Sequence, residues 1–409
     1  MKQPFRFIHA SDFHLELPPR GLVEVPDHLR GALVDAPYRA AERVFDAAIK
    51  ERVDFVVLAG DLLDPAAAGP RGLVFLWQQF QRLADKGIKV YWSLGRSDNF
   101  ERWGELGPLG DPIVRFPLNR VQRIVHQRNG EPLVQILGTS SQQRKRIRVS
   151  DFHAEPGELF ALAIAYGSAD AAALAGHAVN YWALGGEHDR RAVAAGAIAA
   201  HFSGSPQGRR PQESGPHGCT LVQVDENHYV RTSFISTDAV RYLPQRIVVD
   251  ESTTAAQLHQ IIGERINELL SDPFGPDLLI QWTLAGSRAL AAELARGKLA
   301  ADLLAHLRAE HGQRRPAAWT VALAPETPAD VPAELYEEET ILGEFLRSVR
   351  HYVEHPEDEL NLESHLAERH LAGSVGPSVA LDDPAARRRV LAEVARLGVQ
   401  LLSPEEPRP

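Results

Sequence analysis

The chain has 409 residues, 44 % of them hydrophobic and 24 % charged, with a net charge of −10. That length suits about two to three globular domains, and the composition excludes an extended disordered chain. The acidic balance argues against a generally nucleic-acid-coating surface, and a single cysteine, Cys219, excludes an intramolecular disulfide and fits a reducing compartment.

The start, MKQPFRFIHA, runs into a strand pattern with no apolar secretory segment, and the most apolar zone, 159–184, is broken by Asp170, His177 and Asn180. A cytoplasmic, non-membrane protein is the expectation. In chain order the pattern predicts a strand at 5–10, a helix at 38–51 and a continuously apolar strand at 54–59. A helix at 72–86, stopped by Gly87, and a strand at 88–94 follow. This βαβαβ order implies a largely parallel sheet covered by helices. Strands at 123–126, 133–138, 159–166, 181–184, 197–202, 219–224 and 228–235, with little helix between them, predict a second sheet packed on the first.

Beyond Pro244 the alternation is strand 246–249, helix 253–270, strand 277–284, helix 287–311 and strand 317–324. The reading is α/β: a two-sheet sandwich over 1–243, a smaller α+β domain over 244–325, and an acidic helical tail over 326–409 with helices at 340–355 and 384–401. Charge is uneven. Between positions 115 and 148 stand Arg115, Arg120, Arg123, Arg128, Arg144, Lys145, Arg146 and Arg148 against one acid, Glu131. A solvated face explains such a run; a local contact with a phosphate backbone is the functional alternative.

Ligand-type side chains gather where strands end. Asp12 and His14 flank Phe13 after the first strand, and Asp-x-His in extended chain puts both side chains on one side, within reach of one ion. Asp61 and Asp64 follow the second strand in Gly60-Asp-Leu-Leu-Asp64, and His188 follows a later one in "YWALGGEH". One such residue alone is commonly structural, an Asp at a turn being an ordinary cap. Taken together in this order, each at the carboxyl end of a strand, they point to a metal site.

The chain here resembles the calcineurin-like metallophosphoesterases, and within them the SbcD-like DNA repair exonuclease branch. The resemblance is carried by "HASDFHLE", "APYRAAERVFDAAI", "DFVVLAGDLLDP", "YWALGGEH" and "SGSPQGRRPQESGPHGCTLVQVD". It implies a first metal held by Asp12, His14, Asp61 and His188, with Mn²⁺ as the first choice and Fe or Zn²⁺ as alternatives. It also implies that every ligand private to a second metal has been replaced. Arg96 stands for an Asn, Tyr166 for a lone His, and Gly186 for the first His of Gly-His-x-His.

The family's acid, a His, is Ser97, while its Asp partner remains as Asp98. A serine hydroxyl cannot protonate a leaving alkoxide as an imidazolium does. Arg96 in the vacated position suits a bidentate phosphate contact, or a space-filling pair with Asp98 or Glu187. The implied partners are DNA, through the 115–148 run, and an SMC-type ATPase, with the 384–401 helix as its docking element. Relatives of that branch commonly form homodimers, though no residue pattern here marks such an interface. The expected function is therefore a DNA repair exonuclease-like protein, impaired in hydrolysis; an active one-metal phosphoesterase is the alternative.

Overall fold

The computed structural model describes residues 3–22, 24–98, 112–143, 145–155, 157, 159–174, 178–193, 199–326, 331–358 and 384–402. Arg144 of the basic run and His177 lie outside them. By contacts the chain divides into two compact units: 1–245 with 262–281 and 304–322, and 246–261 with 282–303 and 323–409.

The first unit is built on two six-stranded sheets. Strands β1 (Phe5–Ala10), β2 (Phe55–Leu58), β3 (Lys89–Trp92) and β4 (Ile113–Arg115) run parallel. On the other side of β1, β11 (Gly218–Val224) and β12 (Val230–Ser236) add antiparallel, giving the order β12-β11-β1-β2-β3-β4. The second sheet contains β5 (Gln122–Arg128), β6 (Glu131–Gly138), β7 (Phe160–Tyr166), β8 (Tyr181–Gly185), β9 (Arg191–Ala192) and β10 (Ala199–Phe202), in the order β5-β6-β7-β8-β10-β9. Strands β6, β7, β8 and β10 are parallel to one another.

Alternation along the strands explains the packing. Phe7, Phe55, Val57 and Tyr91 of the first sheet meet Val134, Ile136, Leu162, Ile164 and Tyr181 of the second in one buried cluster. Phe7 and Phe55 stack at 5.0 Å between ring centroids, and such a pair contributes roughly 0.5–1.5 kcal/mol beyond its burial. The opposite residues, Ile8, Val56 and Val90, bury against helix α1 (Asp27–Lys50) through Ala41, Val44 and Phe45, and against α2 (Pro65–Ala84) through Leu76 and Phe80. Two buried polar pairs cross the sandwich, Tyr91–His126 at 2.9 Å and His9–Tyr181 at 3.1 Å, which satisfies hydroxyls that would otherwise be costly to bury.

The α1 helix starts eleven residues before the expected 38, because the chain carries Pro37 as an internal helical residue and buries Leu29, Leu33 and Ala36 on the same face. Strands β13 (Val240–Val248), β14 (Asp277–Ala285) and β15 (Ala318–Pro325) form a three-stranded sheet in that order. The single helix expected over 287–311 is two, α5 (Arg288–Ala295) and α6 (Lys298–His311), broken at Gly297, whose φ of 87° no continuing helix accepts. In the second unit, α8 (Ile341–Glu354) packs against α9 (Pro384–Leu402) through Leu342, Leu346 and Val349 against Leu391 and Ala395. No helix among the described residues is long and apolar enough to cross a membrane.

Candidate metal and phosphate site

Six parallel strands, three from each sheet, deliver the site. The chain leaving β1 carries Ser11, Asp12 and His14; β2 is followed by Gly60 and Asp61; β3 by Gly95 to Asp98. From the second sheet, β7 ends on Tyr166, β8 is followed by Gly186 and His188, and β10 by the 203–210 segment. Backbone bonds lock the turns together: Asp12 N donates to Gly60 O at 2.9 Å and His14 N to Asp61 O at 3.1 Å. Asp12, His14 and Asp61 all have positive φ, 56°, 44° and 54°. They line one cavity of about 400 Å³ with Arg20, Arg96, Tyr166, Gly186, His188, Arg209 and Arg210.

Asp12, His14 and His188 form a cluster able to hold a metal ion, each offering an atom within 4.8 Å of the others. Asp12 is wholly buried and accepts from Ser11 Oγ at 2.5 Å and from the Gly186 amide at 3.0 and 3.1 Å. Burial, and then the charge of Asp61, push its carboxyl up to about 8. A cation against Asp12 relieves that repulsion, so the donor set fits one.

His14 is held neutral, first by burial, and its Nε2 is buried with no hydrogen-bond partner, 3.7 Å from Asp61 Oδ2. An imidazole nitrogen left so, facing two carboxylates and a second imidazole, is what a ligand position requires. His188 Nδ1 lies 2.9 Å from Glu213 Oε1. Burial alone would raise Glu213, yet the bonds from His188 and the Arg209 amide and the Arg209 charge bring it down to about 2. A carboxylate on Nδ1 holds that ring's proton there and leaves Nε2 as the acceptor, which Arg209 Nη2 meets at 3.0 Å.

The other half is closed. Asp61 accepts from Tyr166 Oη at 2.7 Å on Oδ2 and from the Ser97 amide at 2.7 Å on Oδ1. The Tyr166 ring fills a slot made by glycines: a Cβ built on Gly60 would stand 2.8 Å from it, one on Gly95 2.9 Å, and one on Gly186 3.2 Å. Burial and the charge of Asp61 raise the Tyr166 hydroxyl, so it stays protonated as a donor.

Ser97 Oγ is 3.4 Å from His14 Nδ1. Asp98 is fully buried and does not line the cavity. Its Oδ1 accepts from the Leu62 and Leu63 amides at 2.8 and 3.2 Å, and its Oδ2 from Gly95 N at 2.9 Å. It braces the 95–98 turn against the 61–63 turn, and its carboxyl is pushed up to about 7 by burial and Asp61.

Arg96 is exposed at the cavity mouth and makes no hydrogen bond or ion pair with another described residue. The pairings that would have made it a space filler do not form: Asp98 serves three amides, and Glu187 turns to Arg191 at 2.8 Å. Asp64 caps α2 through the Ala66 amide at 2.8 Å. Arg20, Arg209, Arg210 and Glu213 escaped the sequence reading. The last three sit in "GRRPQE", but no spacing rule connects that stretch to His188 or to the ligand turns at Asp12 and Asp61.

Residues 5–204 match the profile of the calcineurin-like phosphoesterases. An uncharacterized metallophosphoesterase, YhaO, of Bacillus subtilis is 26 % identical over 338 residues, covering 78 % of this chain and 81 % of that protein. The DNA double-strand break repair protein Mre11 of Aeropyrum pernix is 32 % identical over 93 residues, 23 % of this chain and 21 % of its own length. Among solved structures, a dimetal phosphatase from Danio rerio aligns with 57 % of this chain and 99 % of its own at 12 % identity and a TM-score of 0.36. Residues 5–204 are thus similar to the calcineurin-like phosphoesterases, and the expected α/β two-sheet fold is the one observed.

Proposed function

We propose that this chain is a DNA repair exonuclease-like protein of the SbcD-like branch. It holds one divalent ion through Asp12, His14 and His188 with Asp61 alongside, binds phosphoesters of DNA, and hydrolyses them poorly. One observation carries the reading: the Tyr166 hydroxyl and the Ser97 amide occupy the Asp61 carboxylate where a second ion would need it. When bound, a single ion supplies charge toward a phosphoryl oxygen and acidifies water. The remaining work falls to the chain: Glu213 orients His188, Asp98 braces the 95–98 turn, and Arg96 meets the phosphate. Ser97 cannot serve as the acid.

The short similarity to Mre11 supports a nuclease lineage. The ATPase partner and the cytoplasmic setting rest on the resemblance and on the one-cysteine composition. Helix α9, offered for docking, spends one face on α8 and leaves Val390, Leu397 and Leu401 outside. The alternative, an active one-metal phosphoesterase, is favoured by the convergence of Asp12, His14 and His188 on one point.

Metal analysis beside a Mn²⁺-dependent phosphodiesterase assay separates the two. One ion per chain with turnover no more than about a thousandth of an intact two-metal relative supports the first; full turnover lost in His188→Ala supports the second. For DNA, the 115–148 run is thinner than its sequence suggests. Arg123 pairs with Glu155, Arg128 with Asp54 and Arg146 with Asp170, leaving Arg120, Lys145 and Arg148 without an ion pair among the described residues. Duplex binding through Arg120, Lys145 and Arg148 should therefore fall with salt at a log–log slope of about −3. A salt-independent affinity excludes the contact.

A further inference from the structure

Three of the four cavity arginines, Arg20, Arg96 and Arg210, are exposed; Arg209 is not. Its residue is 4 % exposed, and its Nη1 is buried with no hydrogen-bond partner. The rest of the side chain is held firmly. Nη2 stands 2.9 and 3.0 Å from the two ring nitrogens of His188, and Nε lies 3.7 Å from Glu213 Oε2. The backbone is fixed as well, with Arg209 N donating to Glu213 Oε2 at 2.8 Å and Arg209 O accepting from Arg20 N at 2.8 Å.

Burying a guanidinium is costly, and leaving one of its donors unmet adds to the cost. A fixed, desolvated donor beside a candidate ion site is a ready oxyanion contact, since it needs no reorganisation when the anion arrives. Arg96 brings a second guanidinium from the other sheet, and neither it nor Arg20 is tied to a carboxylate of a described residue. Donors from three arginines suit a tetrahedral group with three free oxygens better than an internal diester with two.

We propose that Arg209, with Arg96 and Arg20, forms a subsite for a terminal phosphate, either a phosphomonoester end of a nucleic-acid strand or free phosphate. This rests on reading the cavity as a phosphoester site, and it narrows the ligand to a phosphorylated end. The subsite belongs to the protein itself and works without the ion.

Calorimetry on the metal-free full-length chain tests it with three probes: inorganic phosphate, a 5′-phosphorylated tetranucleotide and the same tetranucleotide unphosphorylated. The phosphorylated strand should bind at least tenfold tighter than the unphosphorylated one, and Arg209→Met should remove that advantage. Tighter binding of the phosphorylated strand than of inorganic phosphate identifies a strand end; the reverse identifies free phosphate. Equal affinity for the two oligonucleotides together with no binding of inorganic phosphate, or an undiminished response in Arg209→Met, overturns the proposal.

Should Arg209→Met fail to fold, ¹⁵N spectra of the wild-type guanidinium groups read the same contact. Arg209 signals unmoved by phosphate overturn it equally. A metal-free chain that ignores every phosphate probe while the Mn²⁺-loaded chain cleaves a diester removes this subsite and leaves the phosphoesterase reading standing.

Discussion

The two halves of the cavity are built from the same kind of strand-end turn and have opposite chemistry. On one side Asp12, His14 and His188 face each other with a buried imidazole nitrogen left unbonded. On the other, Asp61 is hydrogen-bonded on both oxygens and a tyrosine ring fills a slot among Gly60, Gly95 and Gly186. The difference teaches that a ligand position is lost in two ways. Its side chain is exchanged, and the neighbouring groups then satisfy one another, so that restoring a single residue does not restore the site.

Breaking the open half should have the largest effect. His14→Ala removes a ligand and should weaken Mn²⁺ binding at least about a hundredfold by titration calorimetry, since even the orienting groups around such ligands are worth about 10–100-fold. Undiminished binding in that variant puts the ion elsewhere. Glu213→Gln keeps the shape but not the charge that fixes His188, and should cost about 10–100-fold in the same measurement.

Arg96→Asn combined with Ser97→His probes the closed half. Metal analysis should still find one ion per chain, because Tyr166 continues to hold Asp61; a second equivalent would show that the closed half reopens when two residues are restored. Smallest is Tyr166→Phe, which leaves one Asp61 oxygen facing the cavity without its partner. Urea unfolding should show a loss of about 1–2 kcal/mol, with the ion stoichiometry unchanged.

Much of this was legible in the sequence. Most strands follow from apolar alternation bounded by turns, but 219–224 and 228–235, expected in the second sheet, join the first beside β1; the order of Asp12, His14, Asp61 and His188 at strand ends marked one place. The misses have local causes. Pro37 reads as a helix start but lies inside α1, held there by the burial of Leu29, Leu33 and Ala36. Strand β4 is three residues long and leaves no period to detect. Gly297 separates α5 from α6 in a stretch whose apolar spacing continues across it. Within the site, Tyr166 was recognised as a substitution, but its bond to a carboxylate 105 positions away is a tertiary fact. Arg209 and Glu213 carried no pattern, because their chemistry depends on which histidine they meet.

The positive φ angles of Asp12, His14 and Asp61 have a price in stability. Side chains with a Cβ are disfavoured in that region by about 1–2 kcal/mol each. Glycine would relieve the strain at each position and discard the ligand in the same stroke. The fold thus keeps three residues that a purely structural optimum would exchange. A thermostability selection blind to function should find glycine at one of these three positions before it finds gains in the sandwich core, and the variants it enriches should be those that no longer take up an ion.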